Sequence, residues 1–259
     1  MGHLVVGHGL LVAITFLTRV PVRARVDGPA DLARSVPWFP VVGALVGGVL
    51  GFVYAFGLEL WPSPIAAAVA LVAGLFLTGA FHEDGLADSA DALGGGLDRE
   101  QALRILRDPT HGSYGVLAIV TSFALRLLAL ATLGASAGVA TLIAAHSLSR
   151  AAAVVALGSF PAAADEGLGA AYARSTGRVQ VALGGIVGLV IGIGALGVVG
   201  GLATVAIVPG SAIVIRLALR KIGGLTGDVL GAIQQVAEIS ILLLAAGVAY
   251  SGGTVTPWA

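Results

Sequence analysis

Residues 179–215 read VQVALGGIVGLVIGIGALGVVGGLATVAIVPGSAIVI, without a single Asp, Glu, Lys or Arg. A helix needs about 20 apolar residues to cross the hydrocarbon core of a bilayer. This run is too long for one span, and Gly200-Gly201 is the natural place to divide it into 179–198 and 201–220. Outward from it, comparable apolar runs fall at 36–58, 63–81, 115–133, 139–160 and 232–251, separated by glycine, proline or polar clusters. The pattern predicts an all-α fold, a polytopic integral membrane bundle of about seven spans. The stretch Leu4 to Leu17 is short for a span and reads as an N-terminal interfacial or re-entrant helix.

Composition agrees. Of 259 residues, 57% are hydrophobic and only 11% charged, against about 25% charged in soluble domains. The 39 glycines suit helices packed closely in lipid, and because such faces serve internal packing and association alike, they set no oligomeric state. Absence of cysteine excludes disulfides and thiolate metal sites. A net charge of zero argues against nucleic acid as a partner. No Lys or Arg occurs in the first ten residues, so no removable signal peptide is expected. One membrane domain, 1–259, is expected, with its polar residues concentrated in the segment 82–114.

The basic residues orient it. Arg19, Arg23, Arg25 and Arg34 precede the first long run, Arg99, Arg104 and Arg107 follow the second, Arg174 and Arg178 follow the fourth, and Arg216, Arg220 and Lys221 close the sixth. The opposite turns near 59–63, 134–138 and 199–201 carry no Lys or Arg. By the positive-inside rule the basic loops are cytoplasmic and the C-terminus lies outside.

At the basic end of the second run stands His82-Glu83-Asp84-Gly85-Leu86-Ala87-Asp88-Ser89-Ala90-Asp91. Asp84, Asp88 and Asp91 are spaced i, i+4, i+7, one face of a helix. Like charges on one stripe repel unless neutralised, and a hard divalent cation bound through oxygen does this. That suggests phosphate chemistry at a membrane boundary. Gly85 and Ala87 keep the helix slim for a metal and phosphate to approach, His82 is a phosphate donor or supports the ligands, and Glu83, off the stripe, reads as solvated.

Three further motifs belong to the same face. Asp98 can cap a short helix carrying Arg104 and Arg107, which suit phosphate oxygens or anionic lipid. Asp108-Pro109-Thr110-His111-Gly112-Ser113-Tyr114-Gly115 is a glycine-punctuated loop of the kind that presents backbone N–H groups to anions, or a plain turn into a span. Asp228 follows the glycine-rich Gly223-Gly224-Leu225-Thr226-Gly227 as a second acidic site. Within the spans lie Arg126, His146, Arg150 and Glu238. Such residues are costly in lipid and face a bundle interior or cavity. The two arginines imply a polar cavity, while His146 reads as a hydrogen-bonded packing residue.

Together these motifs resemble the cobalamin synthase (adenosylcobinamide-GDP ribazoletransferase) family, nearly end to end. The resemblance rests on Phe16-Leu17-Thr18-Arg19-Val20-Pro21-Val22, Trp38-Phe39-Pro40-Val41-Val42-Gly43, the His82–Asp91 motif, Arg107-Asp108 with Gly112 and Gly115, Ser149-Arg150, Glu166-Gly167-Leu168-Gly169, and Thr226-Gly227-Asp228 with Gly231-Ala232. Glu83 and Pro109-Thr110-His111 depart from the family pattern. The resemblance implies a Mg²⁺-dependent transfer at the cytoplasmic face of the bacterial inner membrane. The substrates are adenosylcobinamide-GDP and α-ribazole or its 5′-phosphate, and GMP leaves. Asp84 and Asp88 are then expected to bind Mg²⁺ and diphosphate, with Asp91 a third ligand or general base and Asp228 completing the site. Arg107 and Arg150 hold phosphates, with Arg126, His82, Asp108 and Thr226 as further substrate contacts. Three rivals are a CDP-alcohol phosphotransferase, a secondary transporter and a structural membrane subunit. The first carries Asp-Gly-x-x-Ala-Arg, whereas Asp88 follows Ala87 here. The second calls for inverted repeats that are not evident. The third leaves the aspartates and Arg126 and Arg150 unexplained.

Overall fold

Backbone N–H and C=O groups in lipid must be satisfied within the chain, and the computed structural model meets this with helices throughout residues 2–22, 24–163 and 167–258, the residues it describes. Arg23 and Glu166 lie outside them. In chain order the helices are α1 (Gly2–Leu17), α2 (Pro29–Ser35), a 3₁₀ turn (Val36–Trp38), α3 (Phe39–Leu58), α4 (Ser63–Thr78), α5 (Phe81–Gly95), α6 (Arg99–Ile105), α7 (Ser113–Ala131), α8 (Ala135–Ser159), α9 (Leu168–Ser175), α10 (Arg178–Leu196), α11 (Val198–Ile222) and α12 (Gly227–Tyr250). Among the described residues the only β-pairing is a single bridge, Ala162 to Leu225.

Six segments are long and apolar enough to cross a membrane: Pro29–Leu58, α7, α8, α10, α11 and α12. A seventh arises if α4 and α5 form one span, broken by a 90° bend. That bend turns on two consecutive left-handed residues, Gly79 (φ 68°) and Ala80 (φ 55°). Arg19 covers it: its backbone N–H donates to the Leu77 carbonyl at 2.8 Å, and a methyl group at Gly79 would meet its guanidinium Nε at 2.1 Å. The expected polar segment 82–114 is thus mostly helical, α5 and α6, rather than open loop. α1 has 16 residues, about 24 Å at 1.5 Å per residue, short of the ~30 Å hydrocarbon core.

The charge-free run breaks elsewhere than at Gly200-Gly201. α10 and α11 are separated at Gly197, whose φ of 58° and ψ of −129° suit glycine alone. Gly200 serves a different need, since a methyl group there would fall 2.2 Å from the Gly192 carbonyl oxygen. Gly200 lets the first turn of α11 press on α10, whereas a methyl group at Gly201 would meet nothing within 4 Å.

α8 is the central post. It is buried over most of its length and packs on α3, α10 and α12. Its neighbours approach through glycines. Added methyl groups at Gly43 and Gly47 of α3 would lie 2.1 Å from the His146 carbonyl oxygen and 2.3 Å from that of Leu142. On α10, Gly184, Gly188 and Gly192 face Val154, Ala151 and Leu148 at four-residue spacing. Exposed apolar side chains such as Phe52, Phe76, Val190 and Val205 form the lipid-facing exterior.

This packing makes one demand testable by unfolding in detergent. Gly43→Val should lower stability by about 1–3 kcal/mol, the cost of overpacking. Gly48→Val, where a methyl group meets nothing within 4 Å, should leave the melting curve in place.

Candidate functional site

α5 carries four acids, and the bend at Gly79–Ala80 sends them in different directions. Glu83 points inward. Its Oε1 accepts from Arg126 of α7 at 3.1 Å and from Gln235 of α12 at 3.1 Å. The solvated role expected of Glu83 is therefore corrected. In a low-dielectric interior, Arg126 and Arg150 require two counter-charges, whereas the spans proper supply only Glu238. That imbalance was the signal in the sequence that could have found Glu83.

Around this pair lies a connected polar core. Arg126 also donates to Glu238 at 3.0 Å. Gln234 donates to Glu238 at 2.7 Å and to Ser149 at 3.1 Å, and His146 Nδ1 lies 3.4 Å from Glu238. Arg150 donates to the His146 carbonyl at 2.8 Å. The two guanidiniums balance the two carboxylates. His146 is the hydrogen-bonded packing residue expected, buried and within 3.2 Å of the Arg150 guanidinium. Arg126, committed to two carboxylates, is engaged by the protein rather than presented to a substrate.

On the other side of α5, Asp84 and Asp88 stand together with His111. The imidazole lies 3.6 Å from Asp84 and 3.3 Å from Asp88. One ligand atom from each of the three falls within 4.8 Å of the others. The backbone of Asp228 lies against the same helix, because α12 touches α5: a methyl group at Gly85 would lie 2.9 Å from the Asp228 carbonyl oxygen, and one at Gly231 would lie 3.5 Å from Gly85 Cα. The slimness of α5 at Gly85 thus admits a helix, not a phosphate. Thr226, not Asp228, caps α12, its Oγ1 accepting from the Val229 N–H at 3.3 Å.

Asp91 is placed differently from its two partners on the stripe. Its oxygens accept the backbone N–H groups of Gly112 at 2.7 Å and Gly115 at 3.0 Å. The glycine loop does present N–H groups to an anion, and the anion is this carboxylate. Methyl groups at Gly112 or Gly115 would strike Asp91 oxygens at 2.6 and 2.4 Å. Asp91 therefore anchors the start of α7 and holds His111 over Asp84 and Asp88. Asp108 is exposed and accepts from Thr110 N–H and Oγ1 at 2.9 and 2.6 Å. Those bonds, the hydroxyl first, hold its carboxyl below the usual range, and they shape the turn before His111.

Beside the acidic cluster opens a chamber of about 400 Å³. His82, Arg107, Arg150, Thr226 and Asp228 line its polar part. Arg150 is nearly fully buried, and Gly43 makes room for it, since a methyl group there would lie 2.7 Å from Arg150 Cδ. Arg104 does not join Arg107; it faces solvent near Glu100 at 3.7 Å. α6, which carries Arg104 and ends two residues before Arg107, is capped as expected, with Asp98 accepting from the Gln101 N–H at 2.8 Å. Arg99 docks it, donating to the carbonyls of Ile222 and Ala163 at 3.0 and 3.1 Å.

Comparison with known proteins came to one family. The family described as cobalamin-5-phosphate synthase matches residues 9–246. An adenosylcobinamide-GDP ribazoletransferase of Bradyrhizobium diazoefficiens is 42% identical, covering 92% of this chain and 92% of its own. One of Ralstonia nicotianae is 40% identical over 90% of this chain and 92% of its own, and one of Chlorobaculum tepidum 37% over 92% and 94%. No solved structure matches the chain.

The ion cluster carries its own expectation. Arg126→Met leaves Glu83 and Glu238 buried with less counter-charge, and should destabilise the detergent-solubilised protein by about 3–5 kcal/mol. Adding Glu83→Gln to that variant should recover part of the loss, read as the midpoint of thermal unfolding.

Proposed function

The chain belongs to the cobalamin-5-phosphate synthase family, and from that premise we propose that it transfers the phosphocobinamide group of adenosylcobinamide-GDP to α-ribazole or its 5′-phosphate. Adenosylcobalamin or its 5′-phosphate forms and GMP leaves. One arrangement supports this above all: Asp84 and Asp88 of α5 gathered with His111, beside a chamber that holds Arg107, Arg150 and Asp228.

Displacement at phosphorus needs positioning and neutralisation of charge on the attacking and leaving oxygens. Closely set carboxylates suit a hard divalent cation, and Asp84, Asp88 and Asp228 are the residues that would hold Mg²⁺. When bound, such a cation neutralises charge on the diphosphate. His111 suits softer transition metals better as a ligand, so we assign it the proton of the attacking ribose hydroxyl. Asp91 is less suited to that task, since both its oxygens already accept backbone N–H groups. Arg150 and Arg107 hold phosphate oxygens from the chamber side, the first rigidly from α8 and the second from just beyond the end of α6. The arginine-bearing face of the bundle is cytoplasmic in this reading, in the inner membrane of a bacterium, where nucleotide-activated substrates are found.

Purified protein in liposomes, given adenosylcobinamide-GDP and α-ribazole, should release GMP only with Mg²⁺ and form corrinoid product in equal amount. Folded protein that releases no GMP would falsify the assignment. Asp88→Asn should cut turnover by about 10²- to 10³-fold, the scale of removing one electrostatic stabiliser, without lowering the unfolding midpoint. Asp91→Asn should lower activity and stability together, because it weakens the anchor of α7.

A further inference from the structure

The polar groups of the chamber are accounted for by phosphate chemistry; its apolar part is not. That part is walled by Phe16 at the end of α1, Phe39 of α3, Phe81 of α5 and Tyr172 of α9, with Val154 and Leu157 of α8. Phe16 is the hub. Its ring centroid lies 5.5 Å from Phe39, 5.3 Å from Phe81 and 4.9 Å from Tyr172. Phe39 and Tyr172 meet edge to face at 5.6 Å. Phe81 meets His82 in the same manner at 5.2 Å, so the aromatic wall is continuous with the polar part. The Tyr172 hydroxyl shares a hydrogen bond with Ser35 at 3.3 Å. Four separate helices thus converge to present flat apolar surface with its one hydroxyl already engaged.

The chemistry of this wall selects among the pieces of the two substrates. A corrin ring with its amide side chains is far too large for about 400 Å³. Guanine presents acceptors at N7 and O6 and a donor at N2, and against phenylalanine, valine and leucine those groups lose their partners. A dimethylbenzimidazole joined to ribose retains a single ring nitrogen as its polar atom and is otherwise apolar and flat. Offset and edge-to-face contacts of the geometry already present among these rings accommodate such a base.

We propose that the Phe16–Phe39–Phe81–Tyr172 wall is the base subsite, taking the benzimidazole ring of α-ribazole and leaving its ribose toward Arg150 and Asp228. This rests on the reading that α-ribazole is the acceptor, and it goes further by naming the residues that recognise it. It also gives a task to the stretches around Phe16 and Phe39, which lie far from the acidic motif in sequence.

The test is direct binding, independent of turnover. α-Ribazole fluorescence is titrated with the intact protein in detergent, without Mg²⁺, for the wild type, Phe39→Leu and the chamber-filling Leu157→Phe. Phe39→Leu should weaken binding by roughly tenfold, the scale of losing one base–aromatic contact, and Leu157→Phe should weaken it at least as much. Free dimethylbenzimidazole should compete and guanosine should not. In steady state, the same variants should raise KM for α-ribazole while KM for adenosylcobinamide-GDP stays within about twofold. Unchanged α-ribazole binding in both variants, or competition by guanosine alone, overturns the subsite. GMP release by the wild type is scored separately and bears on the reaction itself, so the two conclusions fail by different results.

Discussion

A guanidinium buried among transmembrane helices must find negative charge within reach or the bundle does not close, and Arg126 finds it twice. It lies between Glu83 of α5 and Glu238 of α12, so a single side chain of α7 draws three helices to one point. Gln234, Gln235, Ser122 and Ser149 extend the network through further hydrogen bonds. It also fixes the rotation of α5 about its own axis. With Glu83 turned inward, Asp84 and Asp88 are carried to the side where His111 lies.

The acids of α5 show how one turn of helix after another is put to separate use. Glu83 holds the helix in the bundle, Asp91 holds the next segment to the helix, and among the described residues Asp84 and Asp88 have His111 as their one basic partner. Concentrating unneutralised carboxylate at one place is unfavourable by itself. The protein sustains it by stabilising everything around it: the Gly85–Gly231 contact, the Asp91 anchor and the Thr226 cap. A cation and a diphosphate complete the arrangement in the proposed reaction. The chamber sits next to it because α6, packed on α5 and α11, and α9, packed on α2, α8 and α12, are too short to cross a membrane and line its mouth instead.

Some of this was plain in the residues. The Asp84–Asp88 pairing follows from helical spacing, the cap by Asp98 from its place before a short amphipathic helix, and the burial of Arg126 and Arg150 from their depth in apolar runs. Glu83 was misread because its partner stands 43 residues away on another helix. Asp91 shares the periodicity of Asp84 and Asp88, and nothing local distinguishes a carboxylate facing backbone N–H groups from one facing a cation. The break at Gly197 was missed for a similar reason. Gly197 and Gly200 look alike in a glycine-rich run, and only the packing of α11 on α10 shows that one bends the chain while the other admits a neighbour.

The sequence by itself determined the helical class, most of the apolar spans and the family. These follow from hydrophobic length, helical period and motif order, all of which are local properties of the chain. Tertiary structure alone decided which acids pair with arginine, which anchors a loop, which gather into a cluster, and that four distant aromatic rings wall one chamber. Those outcomes depend on which helix faces meet. That is settled by glycine-permitted close approach and by the need to bring counter-charge to a buried guanidinium, conditions that no single segment contains.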